Sequence, residues 1–84
     1  MGNKLYVGNL PYSVRDGDLE QSFSQFGAVT SAKVMMERDT GRSKGFGFVE
    51  MGSDAEAQAA IAGMNGKDLG GRSCVVNEAR PMEP

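Results

Sequence analysis

Tyr6, Phe46 and Phe48, three of the chain's six aromatic residues, lie in two segments with strand-like alternation. The segments are Leu5-Tyr6-Val7-Gly8-Asn9-Leu10 and Lys44-Gly45-Phe46-Gly47-Phe48-Val49-Glu50-Met51. Successive side chains of a strand point to opposite faces. Leu5 and Val7 then share one face, with Tyr6 on the other. Val49 and Met51 share the apolar face of the second segment. Lys44, Phe46, Phe48 and Glu50 share its opposite face. A parity mixing two aromatics with two charges suits neither a core nor an ordinary solvated surface. Exposed rings rimmed with charge mark a binding surface. Flat rings beside cations suit the bases and phosphates of a nucleic acid.

Other chemistry is scarce. The chain has 84 residues, one Cys and no His. A disulfide framework and a zinc site are therefore excluded, and so are the Ser-His and Cys-His nucleophile pairs. Cys74 reads as a small core residue in a reducing compartment. No metal and no cofactor is expected. Asp39-Thr40-Gly41 spells an aspartic-protease triplet, but Asp and Gly are also the ordinary formers of a polar turn. Gly45-x-Gly47 lies inside a strand with no helix opening after it, so it is not a phosphate loop. There these glycines read as keeping the inner face flat for helix approach. No apolar run is long enough to span a membrane, and no signal-peptide pattern precedes the first strand. The expectation is an intracellular, cytoplasmic protein without membrane association.

The net charge is −2, which by itself argues against a nucleic-acid ligand. Its distribution reverses that reading. Asp16, Asp18, Glu20, Asp54 and Glu56 fall on two expected helices, with only Arg15 beside them. Lys4, Lys33, Arg38, Arg42, Lys44 and Arg80 cluster near the aromatic strands. An acidic back and a mildly basic front follow.

The elements that must hold the rings are legible in order. The first strand covers about residues 4–8 and ends at Asn9-Leu10-Pro11. Ser13 and Asp16 resemble a capping box, and Leu19, Phe23 and Phe26 follow at helical spacing as core. Gly27 closes that helix. A second strand runs over 29–37, with Ala32, Val34 and Met36 inward and Lys33, Met35 and Glu37 outward. Residues 38–43 form a polar turn into the strand 44–51, making an antiparallel hairpin. Ser53 and Glu56 form a second capping box, and Ala57, Ala60, Ile61 and Met64 form a helical stripe. Asn65-Gly66 and Gly70-Gly71 are turns. A last strand covers 72–79, with Cys74 and Val76 inward and Val75, Asn77 and Ala79 outward. Residues 81–84 read as a frayed end. The fold class is α+β, ferredoxin-like, in the order β-α-β-β-α-β: a four-stranded antiparallel sheet with two helices on one face. Its open face bears Tyr6, Phe46 and Phe48. One domain is expected over 1–84, with its core at about 4–80.

These residues carry a family resemblance. Residues 44–51 match the octamer K/R-G-F/Y-G/A-F-V-x-F/Y at seven of eight positions, and Met51 departs at the last. Residues 5–10 are similar to the partner hexamer, with its aromatic in second place. Phe26-Gly27, Met64-Asn65-Gly66 and Gly71-Arg72 stand where the family has similar residues. The chain resembles an RNA recognition motif, most of all the compact single-motif proteins of bacteria and organelles. The resemblance implies single-stranded RNA binding. Tyr6 and Phe48 would each stack on one base, Phe46 would pack against sugars, and Lys44 would pair with a phosphate. Lys33, Met35, Val75, Asn77 and Ala79 would complete the platform. The backbone around Glu78, Ala79 and Arg80 would read base edges. Arg38, Arg42 and Arg80 stand as further phosphate partners. Single-stranded DNA is a second expected ligand, because stacking ignores the sugar. The alternative is a protein-interaction module on the same fold, favoured by the acidic balance and by Glu37, Glu50 and Glu78 near the sheet.

Overall fold

The computed structural model describes residues 3–79. Its elements are β1 (Lys4–Gly8), α1 (Asp16–Phe23), a 3-10 turn (Ser24–Phe26), β2 (Val29–Met36), β3 (Ser43–Met51), α2 (Asp54–Met64), β4 (Asp68–Leu69), β5 (Arg72–Ser73) and β6 (Val75–Glu78). The main sheet is antiparallel throughout, in the order β2-β3-β1-β6. This is the expected α+β ferredoxin-like arrangement. The two strands carrying the aromatic segments are the two central ones. They pair directly, with Tyr6 opposite Phe48 and Val7 opposite Gly47.

The apolar parity of each strand faces the helices. Leu5, Val7, Val34, Val49, Met51 and Val76 from the sheet meet Leu19 and Phe23 of α1 and Ala57, Ala60 and Met64 of α2, all buried. Phe26 and Ile61 pack partly against this core. Alanines on α2 let that helix lie close. Gly47 does the same within β3: a Cβ there would strike the Lys33 carbonyl oxygen and lie 3.0 Å from Val34 Cα and 3.2 Å from Leu19 Cδ1. Cys74 is buried, as expected, and its thiol donates to the Met64 carbonyl at 3.2 Å. Burial pushes the thiol's pKa up, against a smaller lowering by backbone hydrogen bonds.

Side chains close the helix starts and the sheet edges. α2 begins as the sequence predicts: Ser53 Oγ accepts from the Glu56 amide at 3.3 Å and donates to the Glu56 carboxylate at 3.0 Å. Glu56 also accepts from the Ala28 amide at 2.7 Å, which ties α2 to the loop after α1. α1 starts two residues later than Ser13 suggests. Its cap is Arg15, whose backbone amide donates to Asp18 Oδ2 at 2.9 Å. An arginine side chain has no acceptor, so only this half of a capping box forms. Asp16 instead reaches β2, where its carboxylate accepts from the Val34 amide at 2.7 Å. At the opposite edge Asn65 Oδ1 accepts from the Val76 amide at 3.1 Å.

Three expectations need correction. The last strand is not continuous from 72 to 79. Residues 72–73 pair with 68–69 as a small separate hairpin, turned by Gly70 and Gly71 at φ 63° and 95°. Only Val75–Glu78 joins the main sheet. Met36 is not core: it is 38% exposed, because it ends an edge strand beyond the cover of α1. Gly45 does not serve flatness. It has φ 84° and sits in a bulge, since β3 uses four steps (Gly47 to Ser43) where β2 uses two (Val34 to Met36). Its carbonyl accepts from the Leu10 amide at 2.8 Å.

Gly47→Ala should lower stability by about 1–3 kcal/mol, the usual cost of overpacking, because the obstacle is backbone. Urea unfolding measures this. Gly17→Ala is the control: nothing lies within 4 Å of a Cβ at Gly17, so the helix should gain up to about 1 kcal/mol.

Candidate nucleic-acid interface

The register builds the site. Lys33 lies opposite Phe48, Phe48 opposite Tyr6, and Tyr6 opposite Asn77. These four side chains form one row across all four strands, roughly 14 Å wide at the usual strand spacing. All face away from the helices. The three rings pack mutually. Tyr6 and Phe46 have centroids 5.8 Å apart at 33°, Tyr6 and Phe48 6.0 Å apart at 66°, and Phe46 and Phe48 6.1 Å apart at 89°. Edge and tilted contacts of this kind are favourable. They leave each ring half-buried, with a face available to a ligand.

Gly8 sets the pose of Tyr6. A Cβ at Gly8 would meet Tyr6 Oη at 2.6 Å and Cε2 at 2.8 Å. The tyrosine ring therefore leans along β1 and roofs its own strand, over the position opposite Val75. Val75 is 42% exposed and Asn77 is exposed beside it. Ala79 is half-buried, and its amide donates to the Lys4 carbonyl at 2.8 Å. Met35 is half-buried and lies opposite the β3 bulge.

The cations are less evenly placed than strand parity implies. Lys33 is exposed in the central row. Lys44 lies within the bulged stretch and lines two cavities with hairpin residues, one including Arg42 and the other Arg38. It thus groups with the hairpin. Arg80 lies outside the described residues. Lys4, which the residue-by-residue reading placed only near the strands, sits with its Nζ 5.5 Å from the Phe48 ring centroid. Its position two residues before Tyr6, on the same parity, was the available signal. Glu50 lies opposite Lys4 in the register, and its carboxylate accepts from Asn3 Nδ2 at 3.5 Å. Among the described residues, no group of three His, Cys, Asp or Glu side chains could hold a metal ion. None of the described helices is long and apolar enough to cross a membrane.

A sheet with two helices behind it and clustered rings in front is matched by a known family. The RNA recognition motif model covers residues 5–75. The chain belongs to that family. Among relatives of the motif, the 31 kDa chloroplast ribonucleoprotein of Nicotiana sylvestris is 53% identical over 76 residues, covering 90% of this chain and 24% of that one. The protein RbpE of Nostoc sp. is 51% identical over 79 residues, covering 94% of this chain and 80% of that one. The chain thus spans about a quarter of the chloroplast relative's length and most of the Nostoc protein's. Among solved structures, the RNA-binding protein PG1 superposes with a TM-score of 0.88 at 49% identity, covering 94% of this chain and 98% of that one. The second motif of yeast poly(U)-binding protein superposes with a TM-score of 0.86 at 40% identity, covering 96% and 98%.

Gly8→Ala tests the ring geometry of this motif. The new methyl should push Tyr6 off its pose while the core stays intact. The Tyr6 ring resonances should shift, the unfolding midpoint should change little, and any ligand stacked on Tyr6 should bind about threefold or more weakly.

Proposed function

We propose that the chain binds single-stranded RNA on its open sheet face and acts as a binding module, not as an enzyme. The observation that carries this reading is the ring trio, three aromatics in mutual contact on the face that the helices leave uncovered. Aromatic side chains clustered on a solvent-facing sheet gain little from folding, and they offer flat surfaces to unstacked bases. In this reading Tyr6 and Phe48 each take a base and Phe46 packs on the sugars between them. Lys33, Met35, Val75, Asn77 and Ala79 border the bases. Lys4, Lys44, Arg38 and Arg42 meet phosphates, with Arg80 as a further candidate. The yeast protein's name specifies poly(U), which makes oligouridine a sensible first probe. Single-stranded DNA is a second ligand by the same stacking logic. We place the protein inside the cell, in keeping with its free, buried Cys74.

Affinity rests on stacking more than on charge. Phe48→Ala should weaken RNA binding about tenfold or more, since each stacked base is worth roughly 1–3 kcal/mol. Single-stranded RNA should bind far better than the same sequence in duplex, because a duplex does not splay its bases. Fluorescence anisotropy with labelled oligonucleotides measures both. A folded Phe48→Ala protein that binds as well as the parent removes the sheet face as the site.

Salt dependence should be shallow. Each phosphate neutralised on a single strand adds about −0.7 to the slope of log K against log salt. Glu37, Asp39 and Glu50 stand among these cations and oppose their field, so two or three effective contacts give a slope of about −1.5 to −2 and affinity in the micromolar range for a short RNA. A slope steeper than about −4 in the same titration would move the interface to a different, more basic surface.

A further inference from the structure

A carboxylate stands on the face that has to attract phosphates. The register puts Glu50 on the open side of the main sheet, opposite Lys4 on β1 and Ser31 on β2. Among the described strand residues of that side it is the one carboxylate. Glu78 pairs with the buried Leu5 and so has the parity of the helix side. Glu37 follows the end of β2 and is engaged inside the hairpin, where it accepts from the Thr40 hydroxyl at 3.0 Å. A negative group beside the rings repels the backbone of the strand they bind. The rings themselves do not choose between bases, since every base has a π-face.

Glu50 is held in place but weakly engaged. Its carboxylate accepts from Asn3 Nδ2 at 3.5 Å, while the same nitrogen donates to the Met51 carbonyl at 3.0 Å. Asp16, Asp18 and Glu56 by contrast take backbone amides at 2.7, 2.9 and 2.7 Å. A carboxylate has about four acceptor sites, so most of the capacity of Glu50 is left for a ligand. Its backbone is fixed: Thr30 Oγ1 donates to the Glu50 carbonyl at 3.0 Å. β2 carries an extra residue there, because the register steps from Val29–Met51 to Ser31–Glu50. Such a bulge re-aims the side chains beside it.

We propose that Glu50 selects guanine as the base stacked on Phe48. Glu50 follows Phe48 by two residues on the same face, about 7 Å along β3, so it meets the edge of a base lying on the ring. The Watson–Crick edge of guanine carries two adjacent donors, N1–H and the 2-amino group. They match the two oxygens of a carboxylate as a guanidinium fork does. Uracil offers one donor there, between two carbonyls that a carboxylate repels. Adenine and cytosine each set one amino group beside a ring nitrogen that is itself an acceptor. Lys33 lies across from Phe48 in the row of the rings. Its ammonium only donates, which suits the O6 and N7 acceptors on the other side of guanine. The proposal rests on the RNA-binding reading and adds to it the identity of one base.

The test uses the whole chain and uridine pentanucleotides whose central base is guanine, inosine, adenine, cytosine or uracil, read by fluorescence anisotropy. The guanine strand should bind about tenfold more tightly than the adenine strand, the usual discrimination of one bidentate pair. Inosine, which lacks the 2-amino group, should fall between them. Glu50→Gln exchanges one acceptor oxygen for a donor. It should cut the guanine-to-adenine ratio to about twofold or less, while the adenine strand binds as tightly as to the parent or more so. The unfolding midpoint of the variant checks that it folds, and the inosine comparison needs no variant. A parent that binds all five strands about equally overturns the inference and leaves the RNA reading standing. So does a Glu50→Gln protein that binds every strand more tightly by the same factor, since Glu50 then acts through its charge alone. If the parent binds none of the strands, the RNA reading itself fails and the base assignment falls with it.

Discussion

Everything on the ligand side depends on the thinness of β3 at Gly47. Its missing side chain lets the backbone of Lys33 and Val34 and the tip of Leu19 close against the strand. That contact seats α1 on the sheet and keeps β2 in register with β3. The same strand then turns Phe46 and Phe48 outward on either side of the gap. Small inside and large outside are two halves of one arrangement. A bulkier inner residue would lift the helix. A smaller outer pair would leave Tyr6 without neighbours and Lys4 without a ring to sit beside.

The acidic composition misleads because carboxylates here often act as local acceptors. Asp16 takes the Val34 amide, Asp18 the Arg15 amide and Glu56 the Ala28 amide. Each satisfies a backbone donor at a helix start or a strand edge, where a negative group also complements the helix dipole. Their charge remains, but it is anchored to the helix layer, behind the sheet. The cations lie ahead of it and around the hairpin. A ligand approaching the rings meets a field set by its near neighbours, because charges beyond about 8–10 Å are largely screened at physiological salt.

The sequence reveals most where the signal is local. Parity alone separates Tyr6, Phe46 and Phe48 from Leu5, Val7, Val49 and Met51, and the structure keeps that division. Ser53 and Glu56 announce α2 because a cap is a three-residue event. The misreadings of Met36 and Gly45 come from partners far along the chain, and that of the last strand from a short hairpin that competes with the sheet. The last strand breaks because the Gly66 amide binds the Cys74 carbonyl and the Cys74 amide binds the Lys67 carbonyl, which turns residues 72–73 toward 68–69. Met36 loses its core role because α1 ends its cover before that corner. The bulge that puts Lys44 beside Arg42 depends on the Leu10 amide reaching Gly45. No window of ten residues contains both Leu10 and Gly45, whereas Gly66 and Cys74 lie within one of nine. Tyr12 and Arg15 meet Glu37, Arg42 and Lys44 in the same way, across two segments distant in sequence.

The two sheet edges carry a consequence for the protein at high concentration. An edge strand with free amides is a template on which another chain can add its own strand. Here one amide in the middle of each outer strand is already occupied, by Asp16 on β2 and by Asn65 on β6. Two copies brought edge to edge would therefore lack an unbroken row of free amides along which their sheets could fuse.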